Sequence, residues 1–121
     1  MRLIVIVLVT TIFCISSCNP APAKAEDYTD EQILWAIFKA EGGYKAQYYF
    51  GIRSVRYKDF EDAKRICLRT IKNNRKRYTD YGYKKHATYL EFLASRYCPV
   101  SAHLLNKNWL KNVHYFLEKG K

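Results

Sequence analysis

Apolar residues run almost unbroken from Leu3 to Ile15. From Thr29 onward the pattern changes, and they recur three and four positions apart with charged residues between them. That second spacing places them on one stripe of a helix. The first such helix opens at Thr29-Asp30-Glu31-Gln32, a capping box with a hydroxyl at the cap and an amide three residues on. It is predicted to run to about Ala40, with Ile33, Leu34, Ile37 and Phe38 inward and Glu41 one turn beyond, until Gly42-Gly43 stops it. A second helix begins at Lys58 or Asp59. Phe60, Ala63, Ile66, Cys67, Thr70 and Ile71 form its inward stripe, Lys64, Arg65, Arg69 and Lys72 its outer face, and Asn73 to Arg77 its basic end. A third covers roughly Lys85 to Arg96 around Ala87, Leu90, Leu93, Ala94 and Tyr97, and Pro99 ends it. A fourth spans about Asn106 to Glu118, with Trp109, Val113 and Phe116 or Leu117 buried. Between the first two helices, Tyr48 to Ile52 reads as an extended loop or a one-turn strand, and Tyr78 to Tyr83 reads as an aromatic loop.

The leading apolar run is too short to span a membrane stably and matches the apolar region of a secretory signal. Ile15-Ser16-Ser17-Cys18 resembles a bacterial lipobox, in which Cys18 is lipidated and Asn19 to Ala25 becomes a tether. Cleavage after Ala25 is the second reading, and an uncleaved anchor the third. All three place the domain outside the cytoplasm: periplasmic or secreted, or lipid-anchored at the membrane surface. The division expected is residues 1–25 as signal or lipoprotein signal plus tether, and residues 26–121 as a helical domain. With 121 residues in all, multi-domain enzymes and dinucleotide folds are excluded.

Charge adds a partner class. Of 21 Lys and Arg only Arg2 and Lys24 precede Glu26, which leaves 19 against 11 acidic residues, a net +8 on the domain. That favours an anionic partner, and export argues against nucleic acid, although Lys72-Asn73-Asn74-Arg75-Lys76-Arg77 reads as a basic patch. With Cys14 and Cys18 in the leader, Cys67 and Cys98 form an even pair in an oxidising compartment and are expected to join. That bridge would close a loop of about 30 residues, worth roughly 3–4 kcal/mol.

Glu41 is the chemical candidate. A carboxylate beside an inward helix face has a raised pKa if apolar groups surround it, which suits a general acid. His86, His103 and His114 show no metal spacing, and no phosphate loop or nucleophile elbow occurs, so no metal and no cofactor are expected. Tyr48, Tyr49, Tyr78, Tyr81 and Tyr83 fall in or beside loops, where their rings can line a sugar-binding groove.

Glu41-Gly42-Gly43 followed by Tyr49-Phe50-Gly51-Ile52-Arg53-Ser54 resembles the lysozyme-like glycan-cleaving enzymes, nearest to the lytic transglycosylases with a soluble-transglycosylase domain and then to bacterial glucosaminidases. In that superfamily a Glu ends a buried helix, and a Gly-hydrophobic-polar segment, here Gly51-Ile52-Arg53-Ser54, lines the cleft. Phe92 to Pro99 looks like the segment holding the family's tyrosine, here Tyr97. Trp109 to Phe116 resembles the closing helix. Cys98 stands where Asn is expected and Ser54 where Gln is usual. The resemblance covers about residues 30 to 118. It implies a mostly α, small single-domain lysozyme-like fold with a short extended or β segment near residues 48–54. It also implies an enzyme, a lytic transglycosylase or glycoside hydrolase, that cleaves the β-1,4 bond between N-acetylmuramic acid and N-acetylglucosamine in peptidoglycan glycan strands. Glu41 and Tyr97 would be catalytic, and Tyr49, Gly51, Ile52, Arg53 and Ser54 would bind substrate. No second carboxylate follows Glu41 in a catalytic spacing, which favours the one-glutamate transglycosylase over a hydrolase. The alternative is a non-catalytic peptidoglycan-binding module of the same fold.

Overall fold

A computed structural model describes residues 28–121. Four α-helices make up the frame: α1 (Asp30–Ala40), α2 (Phe60–Asp80), α3 (Tyr89–Tyr97) and α4 (Trp109–Lys119). Short 3-10 turns at Gly43–Lys45, Tyr49–Gly51, Gly82–Lys84 and Leu104–Asn108 fill the connections. The leader, Cys18 and the tether lie outside the described residues.

Helices α1, α2 and α3 each start where a side chain can replace the missing helical acceptor, whereas Asn108 ahead of α4 makes no side-chain cap bond. Thr29 caps α1 and Gln32 reaches back to the Thr29 N–H at 2.8 Å, completing the box. Asp59 accepts the Asp62 N–H at 2.9 Å and starts α2, with Glu61 and Asp62 placed against the positive end of the helix dipole. Thr88 and Glu91 form a second capping box for α3. That box explains why α3 begins at Tyr89 and not near Lys85. The Ala87 N–H donates to Glu91 Oε2 at 3.0 Å, so Ala87 lies ahead of the helix and outside its apolar face.

At 21 residues, α2 is about 32 Å long. It continues through Tyr78 to Asp80, where an aromatic loop was expected. The ring of Tyr78 packs against Tyr89 and Phe92, and its hydroxyl reaches the Ala87 carbonyl at 3.1 Å, so tertiary contacts prolong the helix. Ala63, Cys67, Ile71 and Asn74 form its buried stripe, small enough at the first two positions for α1 and α3 to approach closely. Helix α4 lies against α1 with Trp109, Val113 and Leu117 inward, one residue per turn. Asn74, the buried polar residue of this stripe, donates to the Thr70 carbonyl at 3.0 Å and accepts from Arg77, so its amide is satisfied.

The expected β or extended segment near residues 48–54 is absent, and no strand occurs among the described residues. Its backbone donors are spent locally: Gly51 N–H bonds the Tyr48 carbonyl at 3.1 Å and Ile52 N–H the Tyr49 carbonyl at 3.2 Å. Tyr49 N–H donates to the Tyr57 hydroxyl at 2.9 Å. With those groups used inside one turn, no ladder can form along it. Phe50 and Gly51 both adopt left-handed backbone, φ 57° and 68°. For Phe50 that conformation costs on the order of 1–2 kcal/mol. The ring is fully buried, 5.3 Å from Phe38 and 5.7 Å from Phe60, and that burial offsets the strain.

Burial also sets an alkaline limit on the fold. The Cys67 thiol is pushed up from 9.0 to about 12, chiefly by its removal from water. The unfolded chain loses this proton near pH 9 while the folded chain holds it. The group's contribution is therefore complete below pH 9 and declines as pH rises toward 12, by at most about 1.4 kcal/mol per pH unit. Urea denaturation between pH 8 and 10 should show falling stability, and Cys67→Ala should fall less steeply. Equal slopes for the two proteins would show that Cys67 is not the group responsible.

Candidate functional site

Glu41 caps the C-terminus of α1, its N–H still bonded to the Ile37 carbonyl at 2.9 Å. Its carboxylate is turned inward to α4, where Trp109 Nε1–H donates to Oε1 at 2.8 Å. On its other side lies Gly51, so close that a Cβ there would stand 2.6 Å from the carboxyl carbon. A Cβ there would have to displace the carboxylate, and the positive φ favours glycine as well. Glu41 is thus wedged between an indole and a backbone turn, half-buried and hydrogen-bonded.

Tyr97 ends α3 and ties the same turn from the opposite side. Its hydroxyl donates to the Phe50 carbonyl and lies 3.6 Å from Cys67 Sγ. Its ring stacks on Trp109 at 5.1 Å. Burial of that hydroxyl, reinforced by Cys67, holds it far above the usual phenol range, so it stays protonated and keeps donating. Glu41 and Tyr97 therefore meet at one place, through Trp109 and the Phe50-Gly51 turn.

In front of this turn is a groove of about 200 Å³. Gly51, Ile52, Arg53 and Ser54 form one wall, Ile66 and Thr70 of α2 the floor, and Arg96 and Tyr97 of α3 the other wall. Arg53 and Arg96 are exposed, and no carboxylate lines the groove. Glu41 lies against Gly51 without itself lining it. Tyr49 is not part of the groove either. It packs edge-on against Phe60 and beside Tyr57. The Arg53 guanidinium lies 5.5 Å over the exposed ring of Tyr48. Val55, Ile66, Thr70 and Arg96 also line the groove and are not assigned to a site from the sequence. Ile66 and Thr70 belong to the expected inward stripe of α2, Val55 and Arg96 carry only an ordinary surface signal, and the long-range packing of α3 on α2 brings them together.

Other expectations change. Cys67 and Cys98 are both free thiols and form no disulfide. Cys67 is in the core against the Tyr97 hydroxyl, whereas Cys98 is the half-buried C-cap of α3, beyond that ring. The basic patch at residues 72–77 is divided by its contacts. Arg75 turns inward, donating to Asp30 at 2.8 Å and to the Tyr28 carbonyl at 3.1 Å while its guanidinium lies 4.4 Å over Tyr89. Lys76 pairs with Asp80. Of the remaining carboxylates, Asp59, Asp62 and Glu91 accept backbone N–H groups at helix starts. No group of three His, Cys, Asp or Glu able to hold a metal occurs among the described residues.

Removing the acceptor for Trp109 has a defined consequence. Glu41→Gln keeps an oxygen for the buried indole N–H, whereas Glu41→Leu leaves that donor unsatisfied. The Leu variant should be less stable than the Gln variant by about 1–3 kcal/mol in urea denaturation. Equal stabilities would mean that the indole bond contributes nothing to the fold.

Comparison with known protein families, curated proteins and solved structures finds no match to this chain. The resemblance to the lysozyme-like superfamily is overturned by the fold itself. That superfamily is mixed α/β, and the described residues form only helices and 3-10 turns. The expected lytic transglycosylase or glycoside hydrolase falls with it, because among the described residues no β lobe stands opposite α1 to close a catalytic cleft and no catalytic cluster surrounds Glu41.

Proposed function

We propose that this chain is a non-catalytic binding domain that holds an anionic, hydroxyl-bearing polymer in the groove between Arg53 and Arg96. One observation carries the reading: two exposed arginines and the exposed hydroxyl residue Ser54 share a groove whose lining has no carboxylate. Arginine presents a planar fork of donors that matches carboxylate or phosphate oxygens two at a time. Ile52, Val55 and Ile66 in the same lining supply apolar surface for the faces of sugar rings or short aliphatic groups.

The remaining charge supports the same partner. Arg69 and Lys72 on the outer side of α2 are exposed and make no ion pair among the described residues, so they add to the net positive charge that draws an anionic polymer to the domain. Export from the cytoplasm, by way of the leader and a lipidated or cleaved Cys18 region, would place the domain among anionic polymers of the cell envelope. Peptidoglycan strands, with the carboxylates of their stem peptides, are one such partner. Binding there requires no proton transfer, and Glu41 acts by holding Gly51 in place behind the groove.

Adsorption of the protein to insoluble peptidoglycan, measured as a function of salt, tests this. Arg53→Ala with Arg96→Ala should weaken adsorption at least about tenfold, a loss of roughly 1.4 kcal/mol or more, within the range expected for charge-assisted hydrogen bonds. Stability should change little, because both side chains are exposed. An unchanged adsorption curve for the double variant, or one insensitive to salt, would remove the groove from binding.

A further inference from the structure

The turn between α3 and α4 is built in an unusual way. Its polar groups are satisfied internally: Ala102 N–H bonds the Pro99 carbonyl at 3.0 Å, Asn106 Nδ2 reaches the same oxygen at 2.9 Å, and Leu105 N–H donates to His103 Nδ1 at 3.1 Å. A turn held this way has a defined shape, yet it directs its aliphatic residues outward. Leu104 is 68% exposed, Leu105 65% and Val100 53%, whereas Leu34, Leu90, Leu93 and Leu117 are all buried in the core. Side chains exposed to that degree project from the surface. A depression of about 310 Å³, lined in part by Val100, Leu110 and Ala94, continues the apolar surface beside them.

The turn itself is basic. From residue 99 to residue 111 the chain contains no acidic residue, and Lys107 and Lys111 are exposed, while Glu91 is the one carboxylate in the lining of the neighbouring depression. Projecting aliphatics followed in the chain by two exposed lysines match a surface that is negative at its face and apolar just beneath. That is the layering of an anionic lipid bilayer. No helix among the described residues is long and apolar enough to cross a membrane, so contact of this kind is interfacial.

We infer that the Pro99–Asn108 turn is a membrane-docking element, in which Leu104 and Leu105 enter the interface of an anionic bilayer while Lys107 and Lys111 engage its headgroups. This surface is separate from the Arg53–Arg96 groove and does not depend on what that groove binds. It also acts independently of any lipid on Cys18.

The test places a reporter at the tip of the full-length chain. Leu105→Trp is added to phosphatidylglycerol-containing vesicles and to pure phosphatidylcholine vesicles, some with brominated acyl chains. Emission from Trp35 and Trp109 is subtracted using the parent chain. A reporter at position 105 reads that position alone, so attachment through the apolar leader does not mimic the result. Docking predicts a blue shift and quenching by brominated chains on the anionic vesicles. Both should be lost at high salt and in the same reporter chain carrying Lys107→Glu and Lys111→Glu. Helical circular dichroism should be unchanged, because all three positions are exposed. A tryptophan that stays water-like on anionic vesicles, as it would if the tip docks on a protein, overturns the inference. Equal insertion into neutral vesicles overturns it as well.

Discussion

The hydrogen bond from Trp109 to Glu41 is the contact on which the groove side of this molecule depends. It joins the end of α1 to the start of α4, and the carboxylate it positions presses directly on Gly51. Gly51 and Phe50 occupy left-handed backbone, which persists only where the surroundings over-determine it. Three constraints do so here. Phe50 is enclosed by Phe38 and Phe60, its carbonyl is held by the Tyr97 hydroxyl, and Gly51 is backed by Glu41. Tyr97 then stacks on Trp109, so the indole and the phenol that grip the turn also support each other. The half-buried carboxylate is consistent with this role, since the indole donor compensates its partial removal from water.

The same logic explains where the positive charge ends up. Most described carboxylates have structural work. Asp59, Asp62 and Glu91 cap helices, Asp30 holds Arg75, Asp80 pairs with Lys76, and Glu118 accepts from Tyr28 and Lys121. Arg75 is the cation drawn inward, where it joins the N-terminal end of α1 to α2 and lies over Tyr89 of α3. Acids engaged at caps leave Arg53 and Arg96 exposed in the groove lining, and Arg69 and Lys72 exposed on α2. A net-basic composition thus becomes a directed surface through the positions of its acids as much as of its bases.

Periodicity read the frame well because capping chemistry and apolar spacing agree at α1, and because apolar spacing alone marks the buried face of α4. Thr29, Gln32, Trp109 and Val113 lie where local rules put them. The misreadings arise where long-range contacts decide. Tyr78 looks like a loop residue until Tyr89 and Phe92 are packed against it. Tyr48 to Ile52 has strand-like composition, but its backbone donors close a turn and the strand has no partner. Cys67 and Cys98 form an even pair in sequence, yet one is in the core and the other caps α3 beyond the Tyr97 ring. Gly51, Ile52, Arg53 and Ser54 form one wall of a groove whose opposite wall, Arg96 and Tyr97, comes from a helix more than forty residues further along the chain. Glu41 before paired glycines suggested an acid catalyst. The indole that turns it into a strut lies 68 residues away, beyond any local pattern.

The account rests on a division of labour: Glu41 holds the turn, and the groove in front of it binds. Nuclear magnetic resonance with a soluble carboxylate-bearing glycan or polyanion separates the two directly. The account predicts that the backbone signals of Gly51 to Ser54 and of Arg96 shift on titration, while the Trp109 indole proton stays in place because its bond to Glu41 is undisturbed. A titration that moves or broadens the indole signal while residues 51–54 stay still would put the ligand on Glu41 and contradict it.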